Sequence, residues 1–227
     1  MLCCPHFTQV RLKQQAVLQE AERPIAHIHF PIEGMISLVA TLKTGETIEI
    51  AAIGREGAIG TKIGLQPQFA FATAIVQLPG TALRISLDKF QQAASKSLAI
   101  THVATCATDV MTANLQQSAA CNAIHPVEAR LARWLLHARD RYSRDELPLT
   151  QEFLSMMLGV RRTTVSLAAT ALQNLQLVRY RRGKIEIKDR EGLKAVACEC
   201  YDAVRRNIDI IVANAKLAKN SNGARRD

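Results

Sequence analysis

Arg161, Arg162, Thr163, Thr164 and Ser166 put two guanidinium groups and three hydroxyls within six residues. A guanidinium is a planar fork of donors that matches O6 and N7 of guanine, or two oxygens of a phosphate. Hydroxyls reach bases or phosphates at short range. Such chemistry needs a rigid support, and the sequence predicts a helix starting near Arg161. Val165, Ala168, Ala169, Leu172 and Leu175 form its apolar stripe, opposite Arg161, Arg162, Thr163, Ser166, Thr170 and Gln173.

The residues on either side supply the support. Thr150 can cap a preceding helix carrying Phe153, Leu154, Met157 and Leu158 at helical spacing. Gly159 then allows a sharp turn, and Val160 can fold back into the core. Leu177–Tyr180 and Lys184–Ile187 read as strands joined by Arg181, Arg182 and Gly183. Together these residues predict a winged helix-turn-helix. Arg161, Arg162, Thr163, Thr164 and Ser166 are its candidate base contacts; Thr150, Arg179, Arg181, Arg182 and Lys184 are its candidate phosphate contacts.

The charge distribution supports the same half of the chain. Residues 1–122 carry nine Lys/Arg against eight Asp/Glu, and residues 123–227 carry twenty against twelve. The basic half is therefore the one expected to meet a polyanion, double-stranded DNA, in a salt-sensitive manner. No apolar run is long enough for a membrane span, and MLCCPHFTQVRLKQQ has no signal-peptide core, so a cytoplasmic location is expected.

From Val10 to Ile85 the pattern is β. Ile25–Phe30 alternates, with Ile25, Ile28 and Phe30 against His27 and His29, and Pro31–Gly34 reads as a turn. Met35–Leu42 and Thr47–Ile53 follow as a hairpin around Lys43–Gly45. Phe69–Leu78 and Thr81–Ser86 then flank an expected turn at Pro79–Gly80. Short strands at this spacing indicate a sandwich or roll. A short helix begins near Ser86, and a long one runs from Ser97 to Cys121 or Asn122. Along the latter, Ile100, Val103, Ala107, Val110, Asn114, Gln117 and Cys121 repeat in steps of three and four, the seam of a dimerisation helix. Ala104, Met111, Leu115 and Ser118 form a neighbouring stripe toward the β domain. Residues 122–125 read as a hinge, and Pro126 opens a helix over Val127–Arg141 that buries Val127, Leu131, Trp134, Leu135 and Ala138. After the wing, Asp189 caps a helix through about Val212, and Asn214–Asp227 reads as a polar, mobile tail.

A β-roll, a long dimer helix, a hinge and a winged helix-turn-helix, in that order, resemble the Crp/Fnr family of bacterial transcription regulators. The most specific part is LTQEFLSMMLGVRRTTVS, in which Arg162, Thr164 and Val165 match the family's R-x-T-V; FPIEG and IGREGAIG resemble its sensor strands and turns. The resemblance implies an α+β fold. It has an N-terminal double-stranded β-helix or jelly roll, cyclic-nucleotide-binding-like, over residues 1–96. A dimerisation helix over 97–122 and a winged helix-turn-helix over 123–227 follow. It also implies a homodimer on an inverted-repeat operator, and it admits RNA polymerase and a small-molecule effector as further partners.

The chain departs from the family pattern at the effector pocket and at the bases. Where cyclic-nucleotide binders carry a ribose-binding Glu and a phosphate-binding Arg-Ser pair, this chain has Gly60, Thr61 and Lys62, then Ala72 and Thr73. A cyclic phosphate needs a cation or oriented donors, so cyclic nucleotide is not expected. Thr163 stands where many relatives have Glu, and Leu167 where a second Arg is frequent, which predicts a different operator. Cys3, Cys4, Cys106 and Cys121 lack the loop spacing of an iron–sulfur cluster, and His27 and His29 read as strand side chains rather than haem ligands. Cys3–Cys4 and Cys198-x-Cys200 are metal or redox pairs only in the weak sense that two thiols lie close in sequence. No cofactor or metal is therefore expected. No G-x-S-x-G, P-loop or H-E-x-x-H motif is present, so an enzyme is not expected either. Two alternatives to the DNA-binding regulator stay open. One is a ligand- or redox-sensing module acting through protein partners; the other is a cyclic-nucleotide-responsive regulator with a divergent pocket.

Overall fold

The computed structural model describes residues 6–61, 68–142 and 144–223, the side chains of 216–223 excepted. Lys62, Cys3, Cys4 and residues 224–227 lie outside the described residues. Five strands form the first sheet: β1 (Thr8–Leu12), β2 (Val17–Gln19), β3 (His27–Thr41), β4 (Thr47–Ile53) and β5 (Thr73–Ser86). Their order is β1-β5-β3-β4, with β2 also on β5 and every pairing antiparallel.

β3 and β5 correct the sequence reading. Both pass straight through the expected turns at Pro31–Gly34 and Pro79–Gly80, and they pair with each other along almost their whole length. The register slips between Pro31 and Glu33, between Glu33 and Met35, and between Met35 and Ile36, so the Pro and Gly residues make bulges instead of reversals. At this level the two backbones nearly touch: a Cβ on Gly80 would strike the Glu33 carbonyl, and one on Gly34, whose φ is +97°, would strike the Leu78 carbonyl. The bend wraps the sheet into a roll around Ile28, Ile36, Ile53, Val76, Leu78 and Ile85. His29 also departs from the expected alternation. It is buried, paired through its backbone to Ile59, and burial together with His27 and Arg84 holds its imidazole down at about 4.

Helix α1 (Leu87–Lys96) leads into the long α2 (Leu98–Ile124), and α3 (Val127–Tyr142) follows the Pro126 break. Helices α4 (Gln151–Leu158) and α5 (Arg162–Asn174), with strands β6 (Glu146–Leu147), β7 (Val178–Arg181) and β8 (Lys184–Ile187), make the winged unit. The last expected helix is two: α6 (Arg190–Val196), capped by Asp189 through Gly192 N–H, and α7 (Cys200–Gly223). Helix therefore continues through most of the stretch read as a mobile tail.

Two further expectations change. α3 is buried on nearly every side, taking Arg130, Arg133, His137 and Arg141 inside with Leu131, Trp134 and Leu135. The expected seam of α2 is covered within the chain itself. Ala107 packs with Ile28 and Phe90, Val110 with Ile36 and Ile53 and with Ile208 and Ile211 of α7, and Cys121 with Cys198 and Cys200. Buried Asn114 donates to the Val110 carbonyl, Gln117 reaches Cys200, Ile100 leans on the roll, and Val103 is half exposed. A three-four spacing marks the buried face of a helix without saying what buries it.

Gly80→Ala is expected to lower stability by ~1–3 kcal/mol, because the new methyl has only backbone to displace. Urea unfolding should show an earlier midpoint at unchanged slope; an unchanged midpoint contradicts the close approach.

Candidate nucleic-acid interface

Thr150 caps α4 by accepting from Phe153 N–H at 3.2 Å, and Gly159 closes it in the left-handed conformation at φ +61°. Val165, Ala168, Ala169 and Leu172 seat α5 in the core, while Leu175, expected on that stripe, sits at the helix end and is exposed. Arg161 is the N-cap of α5, and its side chain makes no capping bond. Arg161, Arg162 and Thr163 are exposed at this end of α5, where the Thr164 N–H bonds the Arg161 carbonyl at 2.9 Å. Thr164 is half-buried. Ser166 is half-buried too: its hydroxyl donates to Gln151 Oε1 at 2.8 Å, which ties α5 to α4.

The wing turns on Arg182 and Gly183, both at positive φ (48° and 74°), the backbone of a two-residue type I′ hairpin. Arg181 and Arg182 project from it, exposed. Arg179 pairs with Glu186 at 2.7 Å and Lys184 with Glu146 at 2.6 Å, so these two cations are partly neutralised. Surface pairs of this kind are worth little and exchange readily for phosphate.

The winged unit rests directly on the roll. Ile48 of β4 lies where a Cβ on Gly159 would be, Gln77 Nε2 reaches Met157 Sδ at 3.0 Å, and Gln14 Nε2 donates to the Pro148 carbonyl at 2.7 Å. Behind this contact runs a buried polar seam. Trp134 Nε1 donates to Glu49 Oε1 at 3.0 Å, Ser37 donates to the other Glu49 oxygen, and Arg141 pairs with Glu56 at 2.8 Å. Burial raises the Glu49 carboxyl above its usual range, against hydrogen bonds from Ser37 and Trp134. Burial also acts to raise Glu56, but the Arg141 charge and hydrogen bonds outweigh it and hold Glu56 low.

At the position matching a cyclic-nucleotide pocket, the described residues fit an anion poorly. Ala72 is buried and its carbonyl accepts from Gln19 Nε2 at 3.1 Å; the Thr73 hydroxyl accepts from Ala21 N–H at 3.2 Å. Gly60 takes φ +86° against the His27 carbonyl, and Thr61 is half-buried beside it. Away from both places, Cys198 and Cys200 meet Cys121 and His125, a grouping with no contiguous sequence motif.

A roll joined by a long helix to a winged helix-turn-helix defines a DNA-binding regulator with a sensor-type domain. Residues 9–97 match the family model of the cyclic nucleotide-binding domain, and residues 129–196 that of the Crp-like helix-turn-helix domain. Among solved structures the fold is similar to FixK2 from Bradyrhizobium japonicum, with a TM-score of 0.70 and 14% identity over 85% of this chain and 98% of that one. It is also similar to a CRP-family transcriptional regulator from Thermus thermophilus, at 0.69 and 18% over 83% and 96%. The c-di-GMP-responsive global regulator CLP from Xanthomonas campestris gives 0.64 and 15% over 81% and 94%. No curated protein matches the chain by sequence. The chain belongs to the Crp/Fnr family and is a DNA-binding transcription regulator. Among the described residues no helix is long and apolar enough to cross a membrane.

Glu49 sets a pH dependence. A carboxyl raised in the folded state contributes stability that is full below its unfolded pKa and lost as pH rises through its folded pKa. Glu49→Gln keeps an acceptor for Trp134 and loses the titration. Its stability relative to the parent should therefore improve from pH 5 toward pH 8 in urea melts; a constant difference contradicts the raised carboxyl.

Proposed function

We propose that the protein acts as a homodimer on an inverted-repeat operator, with Arg161 and Arg162 at base edges in successive major grooves. The supporting observation is the α5 N-terminus, where Arg161, Arg162 and Thr163 are exposed on a helix anchored by four buried residues. Thr164 lies at the edge of this surface, and Ser166 acts by holding α5 on α4. Thr150, Arg179, Arg181, Arg182 and Lys184 contact phosphates on either flank and set the register. Regulators of this family typically bind as dimers, and two recognition helices one turn apart require operator half-sites at the same spacing. Since the inner face of α2 is occupied within the chain, the partner meets its outer side, where Leu98, Val103 and Thr112 are exposed.

The roll supplies regulation through its contact with the winged unit. β4 carries Ile48 against the Gly159 turn and Glu49 against Trp134, so a ligand that moves β4 re-aims α5 directly. The ligand we infer is other than a cyclic nucleotide, because among the described residues of that pocket Ala72 and Thr73 carry no charge and their polar groups are already engaged. Contact with RNA polymerase at a promoter is the corresponding route to activation.

Fluorescence anisotropy on a selected operator and on random duplex tests the DNA contacts. Arg162→Ala should cost ~1–3 kcal/mol on the operator and little on random DNA, collapsing the ratio between them. Arg182→Ala should weaken both equally and reduce the salt slope by about one. The reverse pattern assigns the roles wrongly. Saturating cyclic AMP or cyclic GMP should leave the melting temperature unchanged, whereas a ligand at a hundred times its Kd would add ~2.7 kcal/mol; a clear rise contradicts the lost pocket.

A further inference from the structure

Cys121, His125, Cys198 and Cys200 converge where α2 ends and α7 begins. Cys121 and His125 stand four residues apart, on one side of the last turn of α2, and the His125 N–H bonds the Cys121 carbonyl at 3.1 Å. Cys198 lies in the short link after α6, and Cys200 is the first residue of α7. All three cysteines are buried. The Sγ atoms of Cys121 and Cys198 are 3.5 Å apart, Cys200 Sγ is 3.6 Å from His125 Nδ1, and the four ligand atoms all lie within 4.8 Å of one another.

These are the dimensions of a single-ion tetrahedron. Zinc bonds of about 2.3 Å to sulfur and about 2.0–2.1 Å to nitrogen give edges near 3.5–3.8 Å between ligands. Two of the edges already stand at that length, and the rest need only a small inward rotation of side chains. Three thiolates and one imidazole are the donor set of a closed structural zinc site. The ligands of an iron–sulfur cluster bind separate irons and stand further apart than those of one ion.

The surroundings are arranged for metal as well. His125 Nε2 lies 3.1 Å from Glu199 Oε1, so the carboxylate takes the outer N–H and leaves Nδ1 as a lone pair facing the sulfurs. A carboxylate behind the histidine is the usual orienting partner of a zinc ligand. Gln117 Nε2 donates to Cys200 Sγ at 3.0 Å. The buried guanidiniums of Arg130 and Arg133 act electrostatically on Cys121, and among the described residues the Nε of each has no hydrogen-bond partner. Three thiolates and one Zn²⁺ leave a net charge of minus one, which a neighbouring guanidinium offsets.

We propose that Cys121, His125, Cys198 and Cys200 bind one Zn²⁺ in a tetrahedral S₃N site that pins α7 to the end of α2. Two segments far apart in the chain meet at this ion: the end of the long helix, with Cys121 and His125, and the entry to the last helix, with Cys198 and Cys200. The site fixes the angle at which the winged unit leaves α2, and it does not depend on how DNA is read. Each ligand thiol gives up its proton on binding, so loading releases protons to solvent.

Full-length protein, grown with zinc and purified anaerobically without chelator, is analysed by inductively coupled plasma mass spectrometry and native mass spectrometry. One zinc per chain is expected, falling at least tenfold in Cys198→Ser and in His125→Ala and unchanged in Cys106→Ser. Cobalt loading should give a thiolate-to-cobalt charge-transfer band that both ligand variants lose. Should those variants fail to fold, a mercurial titration of the unaltered protein keeps the test: one zinc per chain must appear with a chromogenic chelator as the thiols are consumed. Zinc-free protein that takes up no cobalt overturns the proposal. So does iron with a visible cluster spectrum, or a mass lower by two hydrogens from a Cys121–Cys198 disulfide with no metal.

Discussion

The arrangement of the molecule depends on the burial of α3. A lone guanidinium away from water costs several kcal/mol, so a helix enclosed on nearly every side favours positions where its polar groups meet partners. Arg141 is matched by Glu56, and the Trp134 indole N–H by Glu49; both carboxyl groups come from β4 or the turn that follows it. These two contacts tie the helix to the β4 end of the roll. Everything attached to it, including α4, α5 and the wing, is placed by that constraint.

This gives the regulator a stiff coupling. Removing one partner of a buried ion pair typically costs ~3–5 kcal/mol, and moving a two-state equilibrium from 1:99 to 99:1 takes ~5.5 kcal/mol. The two figures are comparable, so the buried seam is of the size needed to set a two-state equilibrium. Glu49, neutral more readily than an exposed carboxyl, is the softest member of the seam. Below the seam, Ile48 lies directly against Gly159, with no side chain on Gly159 between them.

The DNA-facing half was legible because its signals are local. A Thr cap, a Gly at positive φ and a Gly-containing hairpin act within a few residues, and Thr150, Gly159 and Gly183 each adopt the geometry that their types favour. The roll was harder. Pro31 with Gly34 and Pro79 with Gly80 look like turns, and only their mutual approach across two strands turns both into bulges. The seam of α2 was legible as an apolar face, but α7 and the roll cover it, which no periodicity within α2 can reveal. The burial of Arg130, Arg133 and Arg141 has no local signal, because what encloses them lies elsewhere in the chain: Arg130 donates to the Leu158 carbonyl and Arg141 pairs with Glu56. Cys121 and Cys198 are separated by 77 residues, so the cluster they form with His125 and Cys200 has no motif to read.

The central claim is that two copies of the α5 N-terminus enter successive major grooves through Arg161 and Arg162. Guanine-N7 methylation interference on a selected operator tests it most directly, because N7 lies in the major groove, where the arginine fork is placed. The account predicts two symmetric clusters of interfering guanines about 10 base pairs apart, both vanishing with Arg162→Ala. A single cluster, or interference confined to minor-groove adenines, would contradict it.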